Sequence, residues 1–104
     1  MSNLESAVLR NLLCNEEYLR KVLPFLKSEY FLERTQKVVY NELSNYLEKY
    51  NSVPTAEIIK ISVEQLDTVT QDEYNEVIEY ISELESDMDL ETDIEWLTDE
   101  IEKF

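Results

Sequence analysis

The amino-acid sequence predicts an all-α fold, a compact bundle of about six short helices, on three observations. The 104 residues include no glycine and only two prolines, against usual frequencies of roughly 7% and 5%, which argues against barrels and sandwiches built on tight turns. Apolar residues recur at helical spacing, and several segments open on recognisable capping residues. With 43% apolar and 11% aromatic residues, a chain of this length has the material for one hydrophobic core and room for one domain.

The elements follow in order. Ser2-Asn3-Leu4-Glu5 fits a capping box, in which serine and glutamate satisfy each other's free backbone N–H groups at a helix start. The first helix presents Leu4, Val8 and Leu12 on one face, with Leu9 and Leu13 beside them. Asn15 caps a second helix with Glu16 and Glu17 in its first turn, where the helix dipole favours acids. Its apolar face is Tyr18, Leu19, Val22, Leu23 and Leu26, and Pro24 kinks or ends it. After Glu29-Tyr30-Phe31, the positions Val39, Leu43, Tyr46, Leu47 and Tyr50 line up only in a helix, the third, with Leu43 and Leu47 expected at the centre of the core.

Residues 56–66 read two ways, because Ile59, Ile61 and Val63 alternate as in a strand while Ile59, Val63 and Leu66 keep helical spacing. A helix is expected: Thr55 behind Pro54 offers a cap, and a lone strand would have open edges with no partner in the chain. Thr70-Gln71-Asp72-Glu73 forms a second capping box, with Val69 and Tyr74 placed to clasp across it as a hydrophobic staple. The fifth helix then carries Tyr74, Val77, Ile78, Ile81 and Leu84, and the last carries Ile94, Leu97, Ile101 and Phe104. No internal repeat or low-complexity linker interrupts them.

Charge divides the chain. Residues 1–50 carry seven Lys/Arg and seven Asp/Glu, whereas residues 51–104 carry Lys60 and Lys103 against seventeen acids, so the whole net charge of −15 lies in the second half. Such a surface repels phosphate and offers no basic stripe for exchanging counterions, so direct nucleic-acid binding is not expected. The acidic half reads as a solvated helix face kept soluble by repulsion, or as an acidic docking surface. No apolar run approaches a membrane span or a secretory signal, and a cytoplasmic location is expected. Cys14 stands alone among leucines and is expected to be a buried structural thiol without a role.

Motifs for chemistry are largely excluded. A chain without glycine has neither a phosphate loop nor a G-x-G-x-x-G turn, so no nucleotide cofactor is expected in this segment. There is no histidine for acid–base work and no set of thiolates and imidazoles for zinc. Asp87, Asp89, Glu91 and Asp93 alternate like a calcium loop, but Thr92 occupies the turn-glycine position and Thr98 the position of the closing bidentate glutamate. No catalytic, cofactor or metal residue is therefore assigned.

The aromatic residues carry more. Most should be core or its wet edge, since tyrosine buries its ring and keeps its hydroxyl in water. Trp96 lies off the Ile94, Leu97, Ile101, Phe104 stripe and among Asp93, Glu95, Asp99 and Glu100. It is either an interface contact, as tryptophan often is, or part of a last helix buried over a wider arc. The stripe itself, spaced 3, 4, 3, has the heptad alternation of a helix that pairs with another helix. Ile94, Trp96, Leu97, Ile101 and Phe104 are the candidate partner or subunit contacts.

Taken in order, these features resemble the N-terminal domain of DnaB-type replicative hexameric helicases, in the version found in T-even-like bacteriophages. The resemblance rests on Leu4 to Leu13, then "NEEYLRKVLPFLKSEYF" with its Glu29-Tyr30-Phe31, then the long third helix and the Asn51-Ser52-Val53-Pro54 turn, and finally "EWLTDEIEKF", which is similar to the phage proteins' Trp-Leu followed by Glu-Lys-aromatic. Bacterial members usually place a histidine early in the third helix and an aspartate after the proline. This chain has no histidine, and Thr55 follows Pro54.

The resemblance implies a single helical collar domain, residues 1–104, in a longer primase-helicase chain whose downstream RecA-like motor would use ATP and Mg. It implies self-association, as a dimer or in a hexamer of the full-length protein, and docking of primase or a helicase loader during DNA replication. The domain itself would supply no catalysis, only the proximity that raises one enzyme's effective concentration at another's product. The final helix lacks a closing Gly or Asn cap, so the natural reading frame is expected to continue. The alternative is a free-standing acidic phage protein that blocks a host DNA-binding protein by mimicking phosphate charge. That role needs carboxylates at duplex phosphate spacing, whereas here acids interleave with apolar helical positions. A small enzyme is the weakest reading, given the motif search.

Overall fold

The computed structural model describes residues 4–86 and 94–102, and within them every regular element is helical. They are α1 (Leu4–Cys14), α2 (Glu16–Val22), α3 (Arg34–Tyr50), α4 (Ala56–Glu64), α5 (Gln71–Ser86) and α6 (Ile94–Glu102), with two single 3-10 turns at Leu23–Phe25 and Ser28–Tyr30 between α2 and α3. The all-α expectation of about six helices is met. The radius of gyration is 12.9 Å, which matches the roughly 13 Å of a closely packed chain of this size.

The helix starts are built as their residues dictate. Asn15 holds an extended backbone and its side chain accepts from the Tyr18 N–H at 3.0 Å. Thr55 accepts from the Ile58 N–H at 3.2 Å, and the segment read two ways is helix from Ala56 to Glu64. At α5 the capping box closes in both directions: Glu73 N–H donates to Thr70 Oγ1 and Thr70 N–H donates to Glu73 Oε1, each at 3.1 Å. Val69 and Tyr74, on either side of that cap, both pack on the core. Ser2 and Asn3 of the first capping box lie outside the described residues.

The stops show what a glycine-free chain does instead. Pro24 lies in the 3-10 turn directly after α2, where its missing N–H costs nothing. α3 ends on Asn51, whose φ of 55° puts it in the left-handed region normally given to glycine. Asparagine is the next most tolerant residue there. Here it is also held from outside: the Arg20 guanidinium donates to Asn51 Oδ1 at 3.1 Å and to the Asn51 carbonyl at 2.9 Å, while pairing with Glu16 at 3.1 Å.

α3 is the centre of the bundle. It packs against α1, α4, α5 and the 28–30 turn, while α1 also meets α2 and α5, and α5 also meets α4. The core runs through Val8, Leu9 and Leu12 of α1, Tyr18, Leu19 and Val22 of α2, Val39 and Leu43 of α3, Ile59 and Val63 of α4, Val77, Ile81 and Leu84 of α5, and Leu97 and Ile101 of α6. Phe31 is fully enclosed, edge-on to Tyr30 with ring centroids 5.0 Å apart and tilted against Tyr40 at 5.2 Å. Tyr40 donates its hydroxyl to the Leu26 carbonyl at 2.9 Å, which ties the irregular 23–33 connection to α3.

Two expectations are corrected. Cys14 is exposed, not buried: it follows Leu12 by two positions, about 200° around the helix, so it faces away from the leucine stripe. Leu43 is wholly buried but Leu47 only partly, and Tyr50 is 57% exposed, because burial fades along α3 towards its C-terminal end.

Candidate functional site

No group of three or more His, Cys, Asp or Glu among the described residues is placed to hold a metal ion. Residues 87–93, which carry the calcium-like alternation, lie outside the described set. Buried tyrosines are the main titratable groups in the interior, and burial raises the pKa of each, which favours the neutral phenol. Burial raises Tyr18, with the Tyr30 phenol adding to it. Burial likewise pushes Tyr30 up to about 12, helped by the charges of Glu5 and Glu100. Tyr40 is raised by burial and by Glu29. Tyr80 is raised by burial against the opposing hydrogen bonds of Ser6 at 2.8 Å and Gln36 at 3.4 Å. Phenols in this state stay neutral, and Tyr40 uses its hydroxyl as a donor to the Leu26 carbonyl.

What the surface offers is contact area of two kinds. In the charge-balanced half, Phe25 and Leu32 stand 71% and 81% exposed beside the 3-10 turns. Sequence reasoning missed both, since each is one residue away from a buried neighbour, Leu26 and Phe31, and only the irregular backbone decides which of the pair turns outward. In the acidic half, α5 turns Glu76, Glu79 and Glu83 towards Glu33 at the start of α3. With Thr35 and Tyr80 they line an open cleft of about 240 Å³.

α6 brings the sequence-predicted contacts to two faces. Leu97 is fully buried and Ile101 is 5% exposed, both within the domain's own core. Ile94 is half-buried and shares a shallow hollow of about 230 Å³ with Asn15, Glu17, Tyr18 and Lys21, which sets the start of α6 against the start of α2. Thr98, buried as well, donates back to the Ile94 carbonyl at 2.8 Å. Trp96 points the other way and is 51% exposed, so α6 is not buried over a wider arc. Phe104 lies outside the described residues. Of the four that are described, Trp96 has the most exposed surface, and Leu97 and Ile101 fasten its helix to the core.

The chain matches the DnaB-like helicase N terminal domain over residues 1–103. It belongs to that family. The helical architecture fits a DnaB-like N-terminal domain. A DnaB-like replicative helicase of Enterobacteria phage T4 is 31% identical over 97 residues, covering 93% of this chain and 20% of that protein. This DnaB-like domain thus spans about a fifth of the length of the curated relative it matches. No solved structure matches it. Among the described residues no helix is long and apolar enough to cross a membrane.

Proposed function

We propose that this domain is the non-catalytic collar of a replicative DNA helicase, supporting ring assembly and docking primase or a helicase loader. ATP hydrolysis with Mg and translocation on DNA then belong to a RecA-like motor elsewhere in the parent protein. The observation that carries the reading is the family match across residues 1–103, supported by the phage helicase of which this chain's counterpart is about a fifth. The same membership favours a collar over a free-standing acidic mimic.

The surface suggests how the two tasks are divided. Two copies, each at −15, meet with least repulsion through their charge-balanced halves, where Phe25 and Leu32 supply exposed apolar area. That leaves the acidic half, with α6, turned towards other proteins. The test uses the parent gene and its product. A glycine-rich phosphate loop ending in Lys-Ser or Lys-Thr is expected downstream, and light scattering should show a ring that loses mass when residues 1–104 are deleted. A truncated protein without them that still assembles into the same ring would refute the collar role.

A further inference from the structure

The collar reading brings copies together through their charge-balanced halves, and the surface there bears on the symmetry of the contact and on what regulates it. We infer that the 23–33 connection is the centre of a two-fold contact between two copies of the domain, closed over Phe25 and Leu32, and that the acidic halves make this contact tighten as salt rises. Self-association is taken from the collar reading; the symmetry and the salt response come from the surface itself.

Phe25 and Leu32, 71% and 81% exposed, are the most exposed large apolar side chains among the described residues. They stand on one connection whose Leu26, Tyr30 and Phe31 are buried and which Tyr40 fastens to α3 through the Leu26 carbonyl. Both are thus presented on a fixed backbone, and covering them orders little that is not already ordered. Around them the charges interleave: residues 16–37 carry five Lys/Arg and four Glu, a net of +1 on a chain of −15. Lys21, Lys27, Glu29 and Glu33 are exposed, and none of them belongs to an ion pair among the described residues.

A surface that is apolar at its centre and carries both signs of charge around it is complementary to itself. Turned through a two-fold axis, each copy offers its lysines to the other's glutamates and its apolar side chains to the same pair. A nucleic acid would meet Glu29 and Glu33 among the cations and set phosphates against Phe25 and Leu32. A strongly acidic or strongly basic segment would find only half of these charges matched. The acidic half of a second copy, docked head to tail, would lay carboxylates over the apolar pair, where they lose water without a full set of partners. Two side chains fall short of the roughly 800 Å² per partner of a stable interface, so the association is weak and reversible.

The salt response follows from the charge left outside the contact. Residues 51–104 carry the whole net charge of −15 in each copy. At about 0.01 M salt the screening length of about 30 Å is as long as the domain itself, with its extents of 37 × 30 × 25 Å, so the acidic halves repel across the contact. Near 0.15 M the length is about 8 Å and that repulsion is largely screened. Rim pairs weaken as well, but exposed ion pairs contribute little. Burial of Phe25 and Leu32 is not screened. The contact therefore tightens with salt, the reverse of an association driven by opposite charges.

Sedimentation of the 104-residue chain over a concentration series provides the test. A reversible monomer–dimer equilibrium is expected, its dissociation constant falling about tenfold between about 0.01 M and 0.15 M sodium chloride. Phe25→Ser and Leu32→Ser, both at exposed positions, should melt with the parent yet each weaken the dimer about tenfold. Ile61→Ser, exposed in the acidic half, should leave the dimer unchanged. A Glu57→Gln/Glu64→Gln variant, which removes two exposed charges from α4, should tighten it at low salt and flatten the salt response. A chain that stays monomeric at every concentration and salt gives the surface to a different protein and overturns the proposal. So does a dimer that weakens as salt rises, which marks a head-to-tail contact through opposite charges, or one that Phe25→Ser and Leu32→Ser leave unchanged. The collar reading is decided separately in each case, by whether the full-length ring loses mass when residues 1–104 are deleted.

Discussion

The two halves of the domain are held together by the same forces and differ in what they leave outside. Residues 1–50 balance their charges and use arginines as clasps: Arg20 fastens α2 to the end of α3, and Arg34 reaches from α3 to Glu73 at 3.0 Å and to the Thr68 carbonyl at 3.3 Å. The second half contributes one described ion pair of its own, Lys60 with Glu85 at 2.7 Å, and most of its described carboxylates are exposed. Exposed pairs contribute at most about 1 kcal/mol, so the acidic half loses little stability by forgoing them. Its helices stand on buried stripes and good caps, and its charge is left over as a field that other molecules meet.

The sharpest way to break this comparison is to attack the burial both halves share. Leu43 is completely enclosed where α3 meets the rest of the bundle, so Leu43→Ala should cost ~2–5 kcal/mol, much of a small domain's total stability. Ile61, 48% exposed on α4, should tolerate alanine within about 0.5 kcal/mol. Denaturant melts of the two variants check both. Overlapping curves would mean that burial does not govern stability as the structure requires.

A smaller effect sharpens the view of the first half. Tyr40→Phe keeps the ring packed on Phe31 but removes the hydroxyl that donates to the Leu26 carbonyl. A buried acceptor left without its donor costs about 1–3 kcal/mol. If the loss is nil by denaturant titration, water reaches Leu26 and the 23–33 connection is looser than its geometry implies. For the second half, Thr70→Ala opens the capping box and should cost about 1 kcal/mol. Thr55→Ala, which removes a cap closed in one direction only, should cost no more than that.

Local chemistry made much of this legible in the sequence. The Thr70–Glu73 box, the Thr55 and Asn15 caps and the stripes of α1, α2 and α5 all depend on residues a few positions apart, and each is where its spacing predicts. The misreadings depend on what arrives from elsewhere in the chain. Cys14 looks buried from its leucine neighbours until the helix phase is counted. Gln36, only 2% exposed, sits beside the hydroxyl of Tyr80, forty-four positions away, and no local pattern announces that pairing. The left-handed Asn51 owes its hold to Arg20. For the candidate interface, the sequence offered the stripe residues Ile94, Leu97 and Ile101 together with the off-stripe Trp96, and the fold separates them: Leu97 and Ile101 are used up inside the domain, while Trp96 is half exposed.

The gentlest test concerns Glu73, a carboxylate that the first half borrows from the second. Glu73 accepts from the Thr70 N–H and lies against Arg34, and these contacts, the backbone hydrogen bond first among them, hold its pKa below the ordinary glutamate value of 4.5. A depressed folded pKa means the unfolded state binds the proton more readily. The contribution is therefore fully present above the ordinary value and is lost as pH falls through the lowered folded one. Comparing the parent with Glu73→Gln across that range isolates the effect, because every other carboxylate is common to both chains and cancels in the difference. The parent should be the more stable at neutral pH, and the gap should narrow with acidification, measured as the difference in denaturant midpoint. A gap that stays constant with pH would show that the clasp between the halves depends on hydrogen-bond geometry alone and not on the charge at Glu73.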